Sequence, residues 1–450
     1  MATRLQNFFV NKSYYKSNIL LATPIILANA GQGFVSVVDK AMVGRLGADP
    51  LAAEAFAGVL VLNTMVFGMG MSYGLTPLVG KAYSAGNDRQ AAFFYQNSLS
   101  LNTITGAILS LGLIAATPLL DYMGQQAHIV AMARPFYILI AASILPYMIF
   151  LSFKQFMEGI GNTTVAMGIT IFCNLLNIFL NWVLIYGKMG IPAMGATGAA
   201  LATLISRIMM PLIFWIYLLT HHKYGRYFRF FRIRNLTKRC HRQLLAIGTP
   251  ISLQMVIEMF ALSMTAIMMG WIGPKSLAAN QIVLTVMSFM FMVSSGIAGA
   301  VTVLVSHSIR ARDIVNYAKA GMQMSALYMF AASLLYIFAG DTIASLFNSD
   351  PEVIAISARV FLIAAIFEIS DGIQVTALGA LRGIADVLRP MIYAVVIYLF
   401  VNIPVGYLLG FVLELGEEGI WTGFLIGVTS AAILFNLRLR DRVRQRRLFV

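Results

Sequence analysis

Long apolar runs alternate with short polar segments along almost the whole chain. A transmembrane helix needs about 20 mostly apolar residues, and twelve runs reach this length. They lie at roughly 17–43, 52–80, 91–118, 129–153, 164–187, 195–220, 243–271, 276–305, 315–339, 352–380, 387–412 and 419–437. The pattern predicts an all-α polytopic membrane protein with twelve transmembrane helices.

The second half of the chain repeats the first. At an offset of 226 residues the halves align without a gap over about 30 positions. Matching segments are Thr23-Pro24-Ile25 with Thr249-Pro250-Ile251, Gly44 with Gly270 and, at a slightly different offset, Gly195-x-x-Gly198 with Gly416-x-x-Gly419. We therefore predict two pseudo-symmetric six-helix bundles that can rock around a cavity, as in many secondary transporters.

The polar connection between the halves sets the predicted domain boundaries. We expect an N-terminal lobe at 1–221, a basic cytoplasmic linker at 222–242, a C-terminal lobe at 243–437 and a basic cytoplasmic tail at 438–450. Prolines inside spans should weaken those helices. Four of them are Pro24 and Pro250, at matching depths of the two halves, and Pro146 and Pro404.

Composition supports a membrane location, since 59% of residues are hydrophobic and only 11% are charged. A net charge of +14 would suggest nucleic acid in a soluble protein. Here, however, 25 of the 32 Lys and Arg residues lie on the side that holds both termini, and four lie on the other side. By the positive-inside rule we predict a multi-pass inner (plasma) membrane protein with both termini cytoplasmic. Its basic segments should meet membrane lipid, not nucleic acid.

Acidic residues within the spans are the strongest functional signal. Four of the 18 acids lie more than two residues from either end of a span: Asp39, Glu258, Glu368 and Asp371. A carboxylate at the bilayer centre costs at least about 2.5–3.5 kcal/mol on insertion scales. Each of these acids therefore requires a partner, a proton or a cation.

In the second half, Glu258 and Asp371 form the predicted coupling-cation site. Two carboxylates from different helices, with hydroxyl and carbonyl oxygens, suit Na⁺ or a proton. Gln254, one turn before Glu258, and Glu368, three residues before Asp371, are predicted secondary members. Alternatively, Glu368 lies nearer a helix end or pairs with Arg359.

In the first half, Asp39 follows Gln32 by seven residues, so both project from nearly one helix face. Asn177 and Asn181 lie one turn apart in the fifth span. We predict that these four residues bind a proton or substrate. The alternatives are a buried Asp39 held by neighbouring amides or Lys40, and asparagines that only bond between helices.

The two predicted sites are chemically unequal. Glu258 occupies the position of Gln32 under the repeat offset, so only the second half carries an ionisable group at that depth. We therefore expect the driving ion to bind in the second half.

Enzyme motifs are missing from the sequence. There is no His-Glu-x-x-His and no phosphate loop, and the five histidines lie at loops or helix ends. We expect no enzymatic activity and no cofactor, with Na⁺ or H⁺ as the coupling ion.

The motifs in both halves resemble those of multidrug and toxic compound extrusion (MATE) transporters, of the NorM-like branch. They are Ala22-Thr23-Pro24, Val38-Asp39-x-Ala41-Met42-Val43-Gly44-x-Leu46-Gly47, Gly248-Thr249-Pro250 with Glu258, and Asp371-Gly372-Ile373-Gln374 leading to Leu381-Arg382-Gly383-x-x-Asp386. The resemblance implies export of cationic, lipophilic drugs and toxic organic compounds in exchange for Na⁺ or H⁺, by alternating access.

The same resemblance assigns roles to individual residues. Glu258 and Asp371 match the cation-site carboxylates of the C-terminal lobe, and Asp39 matches the N-terminal acid linked to protonation. Asn181 stands where DinF-like proteins have aspartate, which puts a DinF-type proton mechanism in doubt. Phe367 stands where NorM-like proteins often have tyrosine, so one oxygen of the ion site is missing.

Two other functions fit parts of the pattern. One is a flippase for lipid-linked precursors, although the four intramembrane acids favour cationic cargo. The other is a non-transporting membrane sensor or scaffold whose basic segments recruit a partner. The leading expectation is a monomer that takes small organic cations as its substrate.

Overall fold

The computed structural model describes residues 9–228 and 230–447, and these residues contain twelve helices long and apolar enough to span a membrane. They are α1 (Lys12–Gly44), α2 (Ala48–Ser84), α3 (Asp88–Ala115), α4 (Ala127–Gly159), α5 (Thr163–Tyr186), α6 (Gly195–Thr220), α7 (Lys238–Ile272), α8 (Pro274–His307), α9 (Ala311–Ser345), α10 (Pro351–Gly383), α11 (Leu388–Val412) and α12 (Gly416–Arg447). The predicted all-α fold with twelve spans is confirmed.

Most of the helices extend beyond the predicted apolar runs. The ninth, predicted at 315–339, runs from Ala311 to Ser345, because a helix keeps its internal hydrogen bonds after its side chains become polar. Likewise α12 continues through the predicted tail to Arg447, while residues 448–450 of that tail lie outside the described residues. The predicted linker contains a short helix, His222–Phe228, and its Arg229 also lies outside the described residues.

Irregular turns occur near two of the four prolines. The helix of α4 is interrupted at Ser143, three residues before Pro146. In α11 a π-helical turn, Tyr398–Asn402, precedes Pro404, whose missing N–H breaks the regular bonding pattern. Pro24 and Pro250 lie inside continuous helices.

The chain forms two compact units, and the division runs through α1 and α7. One unit comprises residues 27–252, and the other comprises the described parts of 1–26 and 253–450. Both dividing points lie two residues after a proline, Pro24 in α1 and Pro250 in α7. The positions expected to weaken these helices therefore adjoin the boundaries between the units.

Glycines let the first part of α7 pack closely within the 27–252 unit. A Cβ on Gly70 would lie 2.4 Å from Ser252 Cα, and a Cβ on Gly248 would lie 2.5 Å from the carbonyl oxygen of Met71. Ser252 also donates its hydroxyl to the carbonyl oxygen of Phe67 at 2.7 Å. Any larger residue at either glycine would push α2 and α7 apart.

The other unit repeats this contact with the first part of α1. A Cβ on Gly296 of α8 would lie 3.0 Å from the backbone nitrogen of Ile26. Gly296 and Ile26 are related to Gly70 and Ser252 by the 226-residue offset. The repeat seen in the sequence therefore extends to helix packing within each unit.

A buried acid attaches the end of α12 to the turn between α10 and α11. Asp386 is 8% exposed and forms ion pairs of 2.7 Å with Arg438 and 2.8 Å with Arg442. Burial would raise the pKa of Asp386, but the hydrogen bonds from Arg442 and Arg438 outweigh it and leave that pKa below its usual value. The basic residues of the predicted tail are thus partly structural.

We expect Asp386→Asn to lower the free energy of unfolding by about 3 kcal/mol, because two arginines lose their buried counter-charge. Asp441→Asn, an exposed change on the same helix, is the matched control. Since the folded pKa is depressed, the stabilisation is complete above the unfolded pKa of about 3.9 and is lost as pH falls through the folded value. Thermal unfolding in detergent at neutral and acid pH measures this loss of stability. If both variants lose the same stability at pH 7, the structural role of Asp386 is contradicted.

Candidate functional site

Glu258 lies on α7 within a set of amide side chains. Gln254, one turn earlier and 1% exposed, donates its side-chain N–H to Glu258 Oε1 at 3.0 Å. Gln374 of α10 donates to the same oxygen at 3.3 Å. Two helices therefore orient this carboxylate, and Gln254 takes the supporting position predicted for it.

Gln374 extends the site to α11. Its amide nitrogen lies 2.8 Å from the hydroxyl of Tyr398, which begins the π-helical turn. Its amide oxygen is buried and has no hydrogen-bond partner among the described residues. An unpaired buried oxygen is costly, so this atom is available to a cation at the site.

Asp371 lies on α10, three residues before Gln374, and interacts electrostatically with Glu258. Among the described residues none donates a hydrogen bond to its carboxylate. The neighbouring Ser370 instead accepts a hydrogen bond from Thr429 of α12 at 3.0 Å. The structure thus places the two predicted carboxylates within electrostatic range of each other, and no described residue donates to Asp371.

Glu368 faces a different helix, so the suggestion that it pairs with Arg359 is wrong. Arg359 forms its ion pair with Glu418 at 2.8 Å. Glu368 is 1% exposed in the middle of α10 and accepts a hydrogen bond from Tyr336 of α9 at 3.2 Å. The alternative that Glu368 lies near a helix end is also wrong, because α10 continues beyond it to Gly383.

Phe367, one residue earlier, packs in an aromatic cluster. Its ring stacks on Phe424 with centroids 4.9 Å apart and meets Trp421 edge-on at 6.2 Å. It therefore contributes apolar packing between α10 and α12.

In the 27–252 unit, Asp39 of α1 accepts a hydrogen bond from Asn181 of α5. Asn177 lies one turn before Asn181 and contacts Thr203 of α6 in either orientation of its amide. In the turned orientation its nitrogen lies 3.2 Å from Asp39 Oδ1. The structure therefore joins Asp39 to both predicted asparagines, whereas Gln32 is half-buried and makes no hydrogen bond among the described residues.

Two charged groups beside Asp39 were not predicted from the sequence. Glu54 of α2 and Arg207 of α6 both interact electrostatically with Asp39. Lys40, the alternative partner considered for Asp39, interacts electrostatically with Glu54 instead. Arg207 donates a hydrogen bond to Ser143 at 2.7 Å and lies 5.0 Å from the ring centre of Tyr147.

A buried ion pair also lies within this unit. Lys154 and Glu158 of α4 are 9% and 7% exposed, with 3.8 Å between the ammonium and the carboxylate. The predicted apolar run ends at 153, whereas the helix continues to Gly159, so this pair lies beyond the predicted span. This pair compensates its own charge and is separate from the two acid sites.

Each unit therefore contains a polar site on its membrane helices. One joins Glu258, Asp371 and an unpartnered amide oxygen, which are ligands that hard cations prefer. The other has one acid, two asparagines and nearby charges of both signs. Among the described residues, no group of three or more His, Cys, Asp or Glu side chains could hold a metal ion.

Such a chain, with twelve apolar helices and a carboxylate pair among them, is a multi-pass membrane protein. The MatE family model matches it twice, at residues 24–183 and 250–408, which together make up more than half of its length. The chain belongs to the MatE family. The two matches begin 226 residues apart, as the internal repeat predicts.

Curated relatives match over nearly the full chain. A probable multidrug resistance protein NorM from Idiomarina loihiensis is 32% identical over 97% of this chain and 96% of its own length. The multidrug resistance protein NorM of Photobacterium profundum is 28% identical, with 94% of each chain covered. A crystal structure of MATE in the straight conformation shares the fold, with a TM-score of 0.88, 20% identity and 96% of each chain covered.

Proposed function

We propose that this protein is a multidrug efflux transporter of the inner membrane that exports small organic cations in exchange for Na⁺ or H⁺. The observation that supports it best is the electrostatic interaction between Glu258 and Asp371 on two membrane helices, with an unpartnered amide oxygen on Gln374. Family membership and the names of the NorM relatives support drug export as the activity.

In this proposal the coupling ion binds in the unit that carries Glu258. The two carboxylates supply charge, and the Gln374 oxygen supplies a neutral ligand. A proton can take the place of the cation, because two neighbouring acids on membrane helices cannot both stay ionised at low cost. Ion binding favours one arrangement of the protein and drug binding favours another, so the two compete through differential affinity.

Asp39 provides the complementary group in the other unit. Its carboxylate attracts a cationic drug, and Asn181 and Asn177 orient it. Protonation of Asp39 would weaken this attraction and release the drug. Position 181 is asparagine, so it adds no second negative charge next to Asp39.

The distribution of basic residues supports the proposed orientation. We propose that both termini and the connection at 222–242 lie in the cytoplasm, and their excess of Lys and Arg supports this orientation. The functional unit is proposed to be a monomer that requires no cofactor.

Flux through proteoliposomes that contain only the purified protein tests the proposal. We expect a fluorescent organic cation to move when a Na⁺ gradient or a pH gradient is imposed and to stay in place without either. Applying the two gradients separately identifies the coupling ion. Flux that is absent under both gradients, from protein that still binds the drug, would contradict coupled transport.

A further inference from the structure

A polar cavity lies at the ends of several helices in the 27–252 unit, and no residue of either acid site lines it. It has a volume of about 230 Å³. Its walls are Tyr83 at the end of α2, residues 160–162 between α4 and α5, and Lys223, Tyr224, Arg226 and Tyr227 of the short helix after α6. The export function proposed above uses none of these residues.

The cavity carries positive charge. Among the described residues, no carboxylate pairs with Lys223, whose ammonium lies 5.7 Å from the ring centre of Tyr224. Arg226 is compensated by Asp88 at 3.2 Å and also donates a hydrogen bond to the Tyr227 hydroxyl at 3.2 Å. Lys223 is therefore the cation that remains available to an anionic ligand.

Hydroxyl groups line the same space. The hydroxyl of Tyr224 accepts a hydrogen bond from Asn162, so its own proton is free to be donated. Burial raises the pKa of Tyr227 to about 12, so this hydroxyl stays protonated at neutral pH and donates to Asp88 at 3.1 Å. An ammonium next to a hydroxyl donor is a set of groups that binds a phosphate.

The aromatic surroundings indicate the depth of the cavity. The rings of Tyr217, His221 and Tyr224 lie together, with centroids 5.1–6.0 Å apart, where α6 ends. Tyrosines concentrate at membrane–water interfaces, at the level of the lipid headgroups. Basic pockets between membrane helices on the cytoplasmic side bind anionic headgroups.

We propose that this cavity binds the phosphate of an anionic phospholipid at the cytoplasmic surface of the membrane. Lys223 supplies the charge and Tyr224 donates a hydrogen bond. The volume is below the roughly 300 Å³ at which drug-sized pockets begin, so it suits a headgroup better than a drug. The acyl chains would extend along the helix ends into the bilayer.

Calorimetric titration of the full-length protein in non-ionic detergent with dihexanoyl phosphatidylglycerol tests this site. We expect tighter binding than for dihexanoyl phosphatidylcholine and a loss of about fivefold in Lys223→Gln. Lys223→Arg should keep the affinity, and Tyr224→Phe should lower it while preserving the ring. Lys238→Gln is the matched control, because Lys238 is exposed, lies on the same basic connection and does not line the cavity.

Several outcomes would overturn the proposal. Equal losses in the Lys223 and Lys238 variants would show diffuse attraction instead of a site. Inorganic phosphate that binds as tightly as the phospholipid would make a soluble phosphate the ligand. Because the readout is binding, failure of this site leaves the transport proposal untouched, and thermal unfolding of each variant shows whether it is folded.

Discussion

Glu258→Gln is expected to abolish ion-coupled export in protein that still folds. Glutamine retains an oxygen that can accept the hydrogen bonds from Gln254 and Gln374, so the local packing is kept. It loses the negative charge that, in the proposed function, attracts the coupling ion. At 4 Å and an effective dielectric constant of 20 this attraction is about 4 kcal/mol, which corresponds to roughly 1,000-fold in ion affinity.

Drug efflux from proteoliposomes under a Na⁺ gradient and under a pH gradient measures this effect. Glu352→Gln is the control, because it removes an exposed acid at the start of α10. Asp371→Asn should produce a similar loss. If the two acids hold one ion, the double variant should lose little more than either single variant, since groups that act together are not additive. Undiminished efflux in the double variant would exclude this site.

The number and type of helices could be predicted because each apolar run is long enough to cross a bilayer. The repeat offset could also be read from the sequence, and it recurs in the family matches and in the glycine contacts. Helix ends were less predictable. The hydrophobic pattern reports only the segment within hydrocarbon, whereas α9 and α12 continue into polar surroundings.

The partners of the predicted acids were harder to predict, because they depend on the orientation of each helix about its own axis. Gln374 belonged to a recognised motif, but its hydrogen bond to Tyr398 lies where the π-helical turn of α11 begins. That turn has no simple sequence signal apart from Pro404. Glu54 lies near the start of its span, where an acid is usually solvated, so its electrostatic interaction with Asp39 could be found only from the structure.

Arg207 shows the limit of counting charges along a span. Arg207 is one of the three Lys and Arg residues that the sequence assigns to neither side of the membrane, and the sequence indicates no partner for it. The structure places it next to Ser143, where α4 is interrupted, and within the electrostatic range of Asp39. The interruption that positions Ser143 is a feature of the fold, so the pattern of apolar residues could not predict this contact.

Asp39→Asn is expected to reduce the binding of an organic monocation while leaving ion binding at Glu258 and Asp371 intact. Asparagine can still accept the hydrogen bond from Asn181, so the helix contact is maintained. The charge balance changes, because Arg207 loses the negative charge with which it interacts. Glu54 and Arg207 then balance each other, so the site loses its net attraction for a cation, and we expect an affinity loss of about tenfold.

Equilibrium binding of a fluorescent cation and, separately, of Na⁺ to the purified protein distinguishes the two sites. Asp49→Asn is the matched control, since Asp49 is an exposed acid at the start of α2. An uncharged analogue of the same drug should bind the Asp39→Asn variant as well as it binds the unmodified protein, because its binding does not depend on the carboxylate. If Na⁺ affinity falls in parallel with drug affinity, drug and ion do not bind separately in the two units, and Asp39 belongs to the ion site.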